Sequence, residues 1–155
     1  MTDLGTALHH CIAYAGVAGS ITTADVQRLL SRWQVAHAVT SDAVLTQVEA
    51  LLAWTAKRWP ACPVHVEVPI EADRADGQRL GGRIDFLVDT PAGWILVDHK
   101  SNPRGAAHDD ELVREHGPQL ASYSDALTTA TGRPVQEQWL FLPVAARAVQ
   151  VQAKA

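Results

Sequence analysis

A chain of 155 residues, 47% of them apolar, is long enough to bury one hydrophobic core and is expected to form a single domain, 1–155. It has no run of 18 apolar residues, which excludes a membrane-spanning helix. Its two cysteines, Cys11 and Cys62, lack the spacing for an iron–sulfur cluster or a zinc ribbon. Thirteen basic and 17 acidic side chains give a net charge of −4, which speaks against a broad basic surface, although carboxylates gathered around a cation would be acidic for a different reason.

Leu4, Leu8, Cys11, Ile12 and Ala15 recur at helical spacing and predict a helix over 3–16. Thr22 or Thr23 caps a second helix running to about Trp33, with Val26, Leu29, Leu30 and Trp33 on its buried side. Ser41 opens a third, with Asp42 in its first turn, Val44, Val48, Leu51 and Leu52 inward, and Pro60 beyond its end. The period then changes to two. Val64-His-Val-Glu-Val-Pro-Ile70 alternates as a half-buried strand does. Two further β-rich runs, 82–89 and 94–100, flank a Thr90-Pro-Ala-Gly93 turn. Helical spacing returns over 109–130 and ends at Gly132-Arg-Pro134, and strands follow near 135–142 and 147–152. A helical part at about 3–60 thus precedes an α/β core at about 62–152. The predicted fold is α/β: a central mixed sheet flanked by helices, built from hairpins and one helical crossover.

The chemistry concentrates in Gly82-Arg-Ile-Asp85 and Asp98-His-Lys100. A hairpin centred between Pro91 and Ala92 sets Asp85 directly opposite Asp98, on one face, with Cβ atoms roughly 4.5–5.5 Å apart. Lys100, two residues on, shares that face. Opposed carboxylates repel one another and make sense around a cation, and hard oxygen ligands favour Mg²⁺ or Mn²⁺. A neighbouring lysine can hold a phosphate or position and deprotonate a water. Together these parts describe metal-assisted phosphodiester hydrolysis. Glu67 on the preceding strand can reach the metal directly or through water. Gln119 and Tyr123, four apart, share a helix face and can grip phosphate or orient Lys100. His9 lies at the edge of the first helix's apolar stripe, one turn after Gly5. His10 points about 100° further round, toward solvent. Arg83, Arg104 and Arg114 are the candidate phosphate contacts. Plainer readings stand beside these. The aspartates could form surface pairs, Gln119 and Tyr123 could cap the core, and the rings of His65, His99 and His108 read as surface or packing groups. The five tryptophans are scattered and read as core or edge residues rather than as a stacking platform.

In order, Gly5-Thr-Ala-Leu-His9, Glu67, Gly82-Arg-Ile-Asp85, Asp98-His-Lys100 and Gln119-Leu-Ala-Ser-Tyr123 resemble the RecB-type branch of the PD-(D/E)xK nucleases. The resemblance covers about residues 5–143. It implies a restriction-endonuclease-like fold and DNA hydrolysis with Mg²⁺ or Mn²⁺. It assigns metal binding to His9, Asp85, Asp98 and the main-chain carbonyl of His99, and catalytic roles to Lys100, Gln119 and Tyr123. This chain has His116 where many relatives carry a tyrosine three residues before the glutamine. It also lacks the four cysteines of the iron–sulfur members, so it looks closer to the clusterless nuclease domain of RecB- and AddA-type helicase-nucleases than to those members. DNA and a helicase, covalently linked or separate, are the implied partners, and no membrane is. No leader peptide is read at the N-terminus, and the expected compartment is a reducing cytoplasm. A non-catalytic nuclease-fold module that binds DNA or a helicase, and an unrelated metal-dependent phosphoesterase, remain open from the residues alone.

Overall fold

Three threonines start the three N-terminal helices. Thr2 precedes α1 (Asp3–Ala18), Thr22 precedes α2 (Thr23–Arg32) and Thr40 precedes α3 (Ser41–Arg58); each hydroxyl accepts from a first-turn amide that has no partner within the helix. Such a cap contributes about 1 kcal/mol. At α2 the exchange is reciprocal, because Asp25 accepts from the Thr22 amide. The third helix is capped one residue earlier than Ser41, which is its first helical residue. The computed structural model describes residues 2–73, 75–100, 105–143 and 147–151.

Five strands follow: β1 (Val64–Asp73), β2 (Arg79–Thr90), β3 (Gly93–His99), β4 (Val135–Leu142) and β5 (Arg147–Val151). They form one sheet whose spatial order equals their chain order. Neighbours are antiparallel except β3 and β4, which run parallel and are joined by the crossover helix α4 (Asp109–Thr131). A parallel pair requires such a crossover, and this is the mixed sheet that the element order predicts. Residue 152, placed in the last strand by its sequence, lies outside the described residues. Pro69 is tolerated within β1 because β1 is an edge strand.

The two faces of the sheet carry separate cores. The apolar stripes of α1, α2 and α3 pack on one face against Phe86, Val88, Ile95, Val97 and Phe141. On the other face α4 packs Leu112, Leu120 and Leu127 against Ile84, Leu87, Leu96 and Leu140. Gly16 lets α1 press onto β1: a Cβ there would lie 2.5 Å from Cγ1 of Val66.

The alternation expected through 64–70 does not hold. Val64 and Val66 join the α1–α3 core, whereas Val68, Ile70 and Ala72 join the α4 core. β2 changes over in the same way, with Ile84 on the α4 side and Phe86 on the α1–α3 side. Val66 pairs with Phe86 and Val68 with Ile84, so both strands exchange faces at one rung, that of Glu67 and Asp85. Glu67 accommodates the exchange with φ of 50°, a left-handed conformation rare outside glycine. A swap between two apolar residues spaced by two leaves no mark on an alternating pattern. It brings a carboxylate from each strand to a place bounded by neither core.

Candidate active site

The hairpin between β2 and β3 keeps the predicted register, with Thr90 opposite Gly93 and Phe86 opposite Val97. The described ladder ends there, one rung short of Asp85 and Asp98. Asp85 Oδ2 instead accepts the backbone N–H of His99 at 2.9 Å. β3 stays with β4, since the Lys100 amide donates to the Phe141 carbonyl at 3.0 Å. The two strands therefore part where the aspartates stand, and a cleft of about 300 Å³ opens. Its lining comes from three directions: Thr6, His9 and His10 from α1; Glu67, Arg83, Asp85, Asp98 and Lys100 from the sheet; Gln119 and Tyr123 from α4.

Nearly every residue singled out in the sequence meets here. Lys100 Nζ lies 3.2 Å from Asp98 Oδ2, which agrees with their expected common face. His9 Nδ1 lies 3.4 Å from Asp85 Oδ1, so the inner edge of α1 does face the carboxylates. Arg83 Nη1 stands 3.9 Å from Glu67 Oε2. Gln119 Nε2 donates to Tyr123 Oη at 3.2 Å. Gly82 makes room for that phenol, because a Cβ there would lie 2.3 Å from Tyr123 Oη. Arg114 is exposed on α4 and is not among the lining residues. Arg104 lies outside the described residues.

Two features were not legible in the sequence. The ring of His99, read there as a packing group, is buried beside Asp85 with Nδ1 3.8 Å from Oδ2, and its nitrogens have no hydrogen-bond partner among the described residues. His10 is exposed as expected, but it is not free in solvent: its ring lies against Trp33, with centroids 5.3 Å apart and planes tilted by 37°.

Burial and charge leave this cluster electrostatically unfinished. Asp85 and Asp98 are only 8% and 6% exposed. Burial, the charge of Asp85 and its hydrogen bond push the Asp98 carboxyl up to about 7, against the opposing pull of Lys100. Burial alone would also raise Asp85, but the hydrogen bond from His9, the charges of the two histidines and the hydrogen bond from Asp98 together outweigh it and hold Asp85 below the usual carboxylate range. For His9, the loss of hydration is outweighed by Asp85, Glu67 and Asp98, and its pKa rises. His99 is lowered to about 4 by burial, so its imidazole is neutral and keeps a lone pair. Burial raises the Tyr123 phenol, and the charges of Asp98 and Asp85 add to that. One ligand atom from each of His9, Asp85 and His99 lies within 4.8 Å of the others, a grouping that could hold a metal ion. A larger open groove of about 620 Å³ lies between the far end of the β1–β2 hairpin and α4. Of its charged lining residues Glu71, Asp73, Arg79 and Asp125, Asp73 and Arg79 pair with each other, and the groove holds no lysine or histidine among its lining residues.

The sequence pattern of the PD-(D/E)XK nuclease superfamily matches residues 1–155. The chain belongs to this superfamily. Among curated proteins, it is 31% identical over 103 residues to an ATP-dependent helicase/nuclease protein of Desulforudis audaxviator, covering 64% of this chain and 8% of that protein. The protein of the same name from Levilactobacillus brevis is 29% identical over 164 aligned positions, covering 91% of this chain and 13% of its own length. A third, from Pelotomaculum thermopropionicum, is 38% identical over 61 residues, or 39% of this chain and 5% of the relative. The chain thus spans only a small part of the curated relatives it matches. Membership of the PD-(D/E)XK superfamily accords with the five-stranded mixed sheet and its flanking helices. Nucleases of this superfamily use divalent metals, which accords with the His and Asp cluster. Among the described residues, no helix is long and apolar enough to cross a membrane.

Proposed function

We propose that the chain is a DNA nuclease dependent on Mg²⁺ or Mn²⁺, serving as the cutting module of a helicase-nuclease in DNA repair and recombination. The observation that carries this reading is the parting of β2 from β3, which gathers Asp85, Asp98 and Lys100 under His9. The residues fit a divalent cation. Two buried carboxylates compete for charge, and a neutral buried imidazole has no hydrogen-bond partner among the described residues. His9, Asp85, Asp98 and the His99 carbonyl would hold the ion, with Glu67 reaching it directly or through water, and the His99 ring stands close enough to join them. When bound, the cation supplies Lewis acidity to the phosphodiester and to water. Lys100 places its ammonium at Asp98, where it can hold the scissile phosphate and orient the attacking water. Gln119 and Tyr123 form a donor pair on the α4 side that can grip a phosphate oxygen, and Arg83 can take a neighbouring phosphate.

Plasmid and oligonucleotide cleavage across a metal series tests the reading. Mg²⁺ or Mn²⁺ should support turnover. Ca²⁺ should bind and fail to support it, because its larger, looser coordination positions water poorly. Each ion that binds the folded chain should raise the melting temperature, by about 2.7 kcal/mol of stability at a hundredfold excess over Kd. Normal cleavage in EDTA overturns the metal requirement. A failure to cleave DNA with any of these ions, in a folded chain that binds them, favours a non-catalytic module.

The paired histidines supply a sharper contrast. His9→Ala should weaken metal affinity roughly 10- to 100-fold, the range seen when a supporting group of a metal site is lost. His10→Ala should leave metal affinity unchanged, because the helical rotation turns its ring away from Asp85. Calorimetric Mn²⁺ titration of both variants decides it. Equal losses would show that α1 presents a different face.

A further inference from the structure

We propose that His10, seated on Trp33, is a stacking surface for a nucleobase next to the phosphate being cut. The proposal rests on the nuclease reading above and adds to it the part of the strand that the α1 rim recognises. Successive residues of α1 do two different things. His9 turns to Asp85, and His10, about 100° round the helix, reaches the rim of the same cleft. An exposed imidazole would ordinarily sample several rotamers. Here the indole of Trp33, at the end of α2, lies against it. Trp33 is itself fixed, packed on the α1–α3 core with its Nε1 buried. The ring is therefore held in place before any ligand arrives, and little further order is lost on binding.

The remaining aromatic groups do not offer such a surface at this cleft: Tyr14 on α1 is exposed but is not among the lining residues. Tyr123, on the opposite rim, is 6% exposed and engaged with Gln119. Trp54, Trp59 and Trp139 pack on one another, and Trp94 lies with His65 and Arg133. His9 and His99 meet edge to face beside Asp85, and the His99 ring is buried. Among the described residues, the His10–Trp33 pair is the aromatic contact that carries an exposed ring to the rim. Lys100 and Arg83 supply positive charge in the same cleft, where a phosphodiester would lie. A base flanking that phosphate then meets the α1 rim. Every base has a π-face, so a contact of this kind holds a strand without reading its sequence.

The test compares a short oligothymidylate with an abasic oligomer of the same length. Binding is measured in Ca²⁺ at low salt to the wild-type chain, His10→Ala and His10→Phe. Wild type should prefer the base-bearing oligomer by about tenfold, within the range of a single stacking contact. His10→Ala should bind both oligomers as wild type binds the abasic one. His10→Phe, which keeps a ring and removes the ring nitrogens, should restore the preference. All three should bind Mn²⁺ alike. The proposal is overturned if wild type shows no preference, if His10→Ala keeps it, or if His10→Phe loses it, the last marking a polar contact instead. Base-independent binding with intact Mg²⁺-dependent cleavage overturns this inference alone. Binding of neither oligomer, with no cleavage, overturns the nuclease reading with it.

Discussion

Asp98→Ala and Lys100→Ala are each expected to lower DNA cleavage on the order of a thousandfold, the loss typical when a group that stabilises developing charge is removed. Their effects on stability without metal should have opposite signs. Asp98 is buried against Asp85, and its carboxyl is pushed up to about 7, from roughly 3.9 in an unfolded chain. A carboxyl raised on folding favours the folded state fully below its unfolded pKa. That advantage is lost as pH rises through the folded value. In EDTA the wild-type melting temperature should therefore fall between about pH 4 and pH 7 on account of this group. Asp98→Ala should remove that slope and melt a few degrees higher than wild type at pH 8. Lys100→Ala deletes the cation 3.2 Å from Asp98 Oδ2 and leaves the two carboxylates opposed by less charge. It should melt lower than wild type at pH 8. Saturating Mg²⁺ should reverse the order of wild type and Asp98→Ala, since the ion stabilises most where both carboxylates remain. Cleavage and thermal melts on the same preparations separate a lost site from a lost fold. Wild-type turnover in either variant would remove that residue from the site. Shifts of the same sign in EDTA would show that the repulsion is not what governs stability here.

The helices and strands were readable because their signals are local. Apolar stripes at helical spacing, the threonine before α2 and the Pro91-Ala92 turn each act within a few residues. The same turn fixes which residues of β2 and β3 oppose one another, so the shared location of Asp85, Asp98 and Lys100 followed from counting. What escaped depends on departures from regular geometry. The exchange of faces at Glu67 requires a positive φ at a residue type that gives no warning of it. Gly82 stood in the sequence as part of a motif, whereas its physical role is to admit the Tyr123 phenol across the sheet. The His99 ring lies on the opposite side of β3 from Asp98, and strand period alone assigns it to the core. Only because β2 turns over at Asp85 does one carboxylate reach both His9 and His99. Trp33 and His10 come from different helices, and no spacing rule joins them.

Joining this chain to a helicase through a short flexible linker is expected to raise DNA degradation at physiological salt by roughly 10²- to 10⁴-fold over the chain alone. The cleft holds few cations, and those it has are already engaged: Lys100 with Asp98 and Arg83 near Glu67. With a net charge of −4 the chain has little general attraction for DNA, and what remains is screened beyond about 8 Å at physiological ionic strength. Cleavage by the chain alone should therefore be weak and fall steeply with added salt. A stacking contact on the α1 rim holds any base, so little sequence preference should appear. The curated relatives are helicase/nuclease proteins of which this chain matches 8% and 13%, and a motor in the same molecule would supply strand to the cleft at an effective concentration on the order of millimolar. The measurement compares the chain alone, the chain mixed with a helicase and the linked pair, over a salt series with and without ATP. The linked pair should gain most at high salt, where unaided binding is weakest, and simple mixing should recover only part of the gain. If the chain alone instead cuts one defined sequence tightly at physiological salt, delivery by a motor is not what its cleft requires, and recognition must be built into the cleft itself.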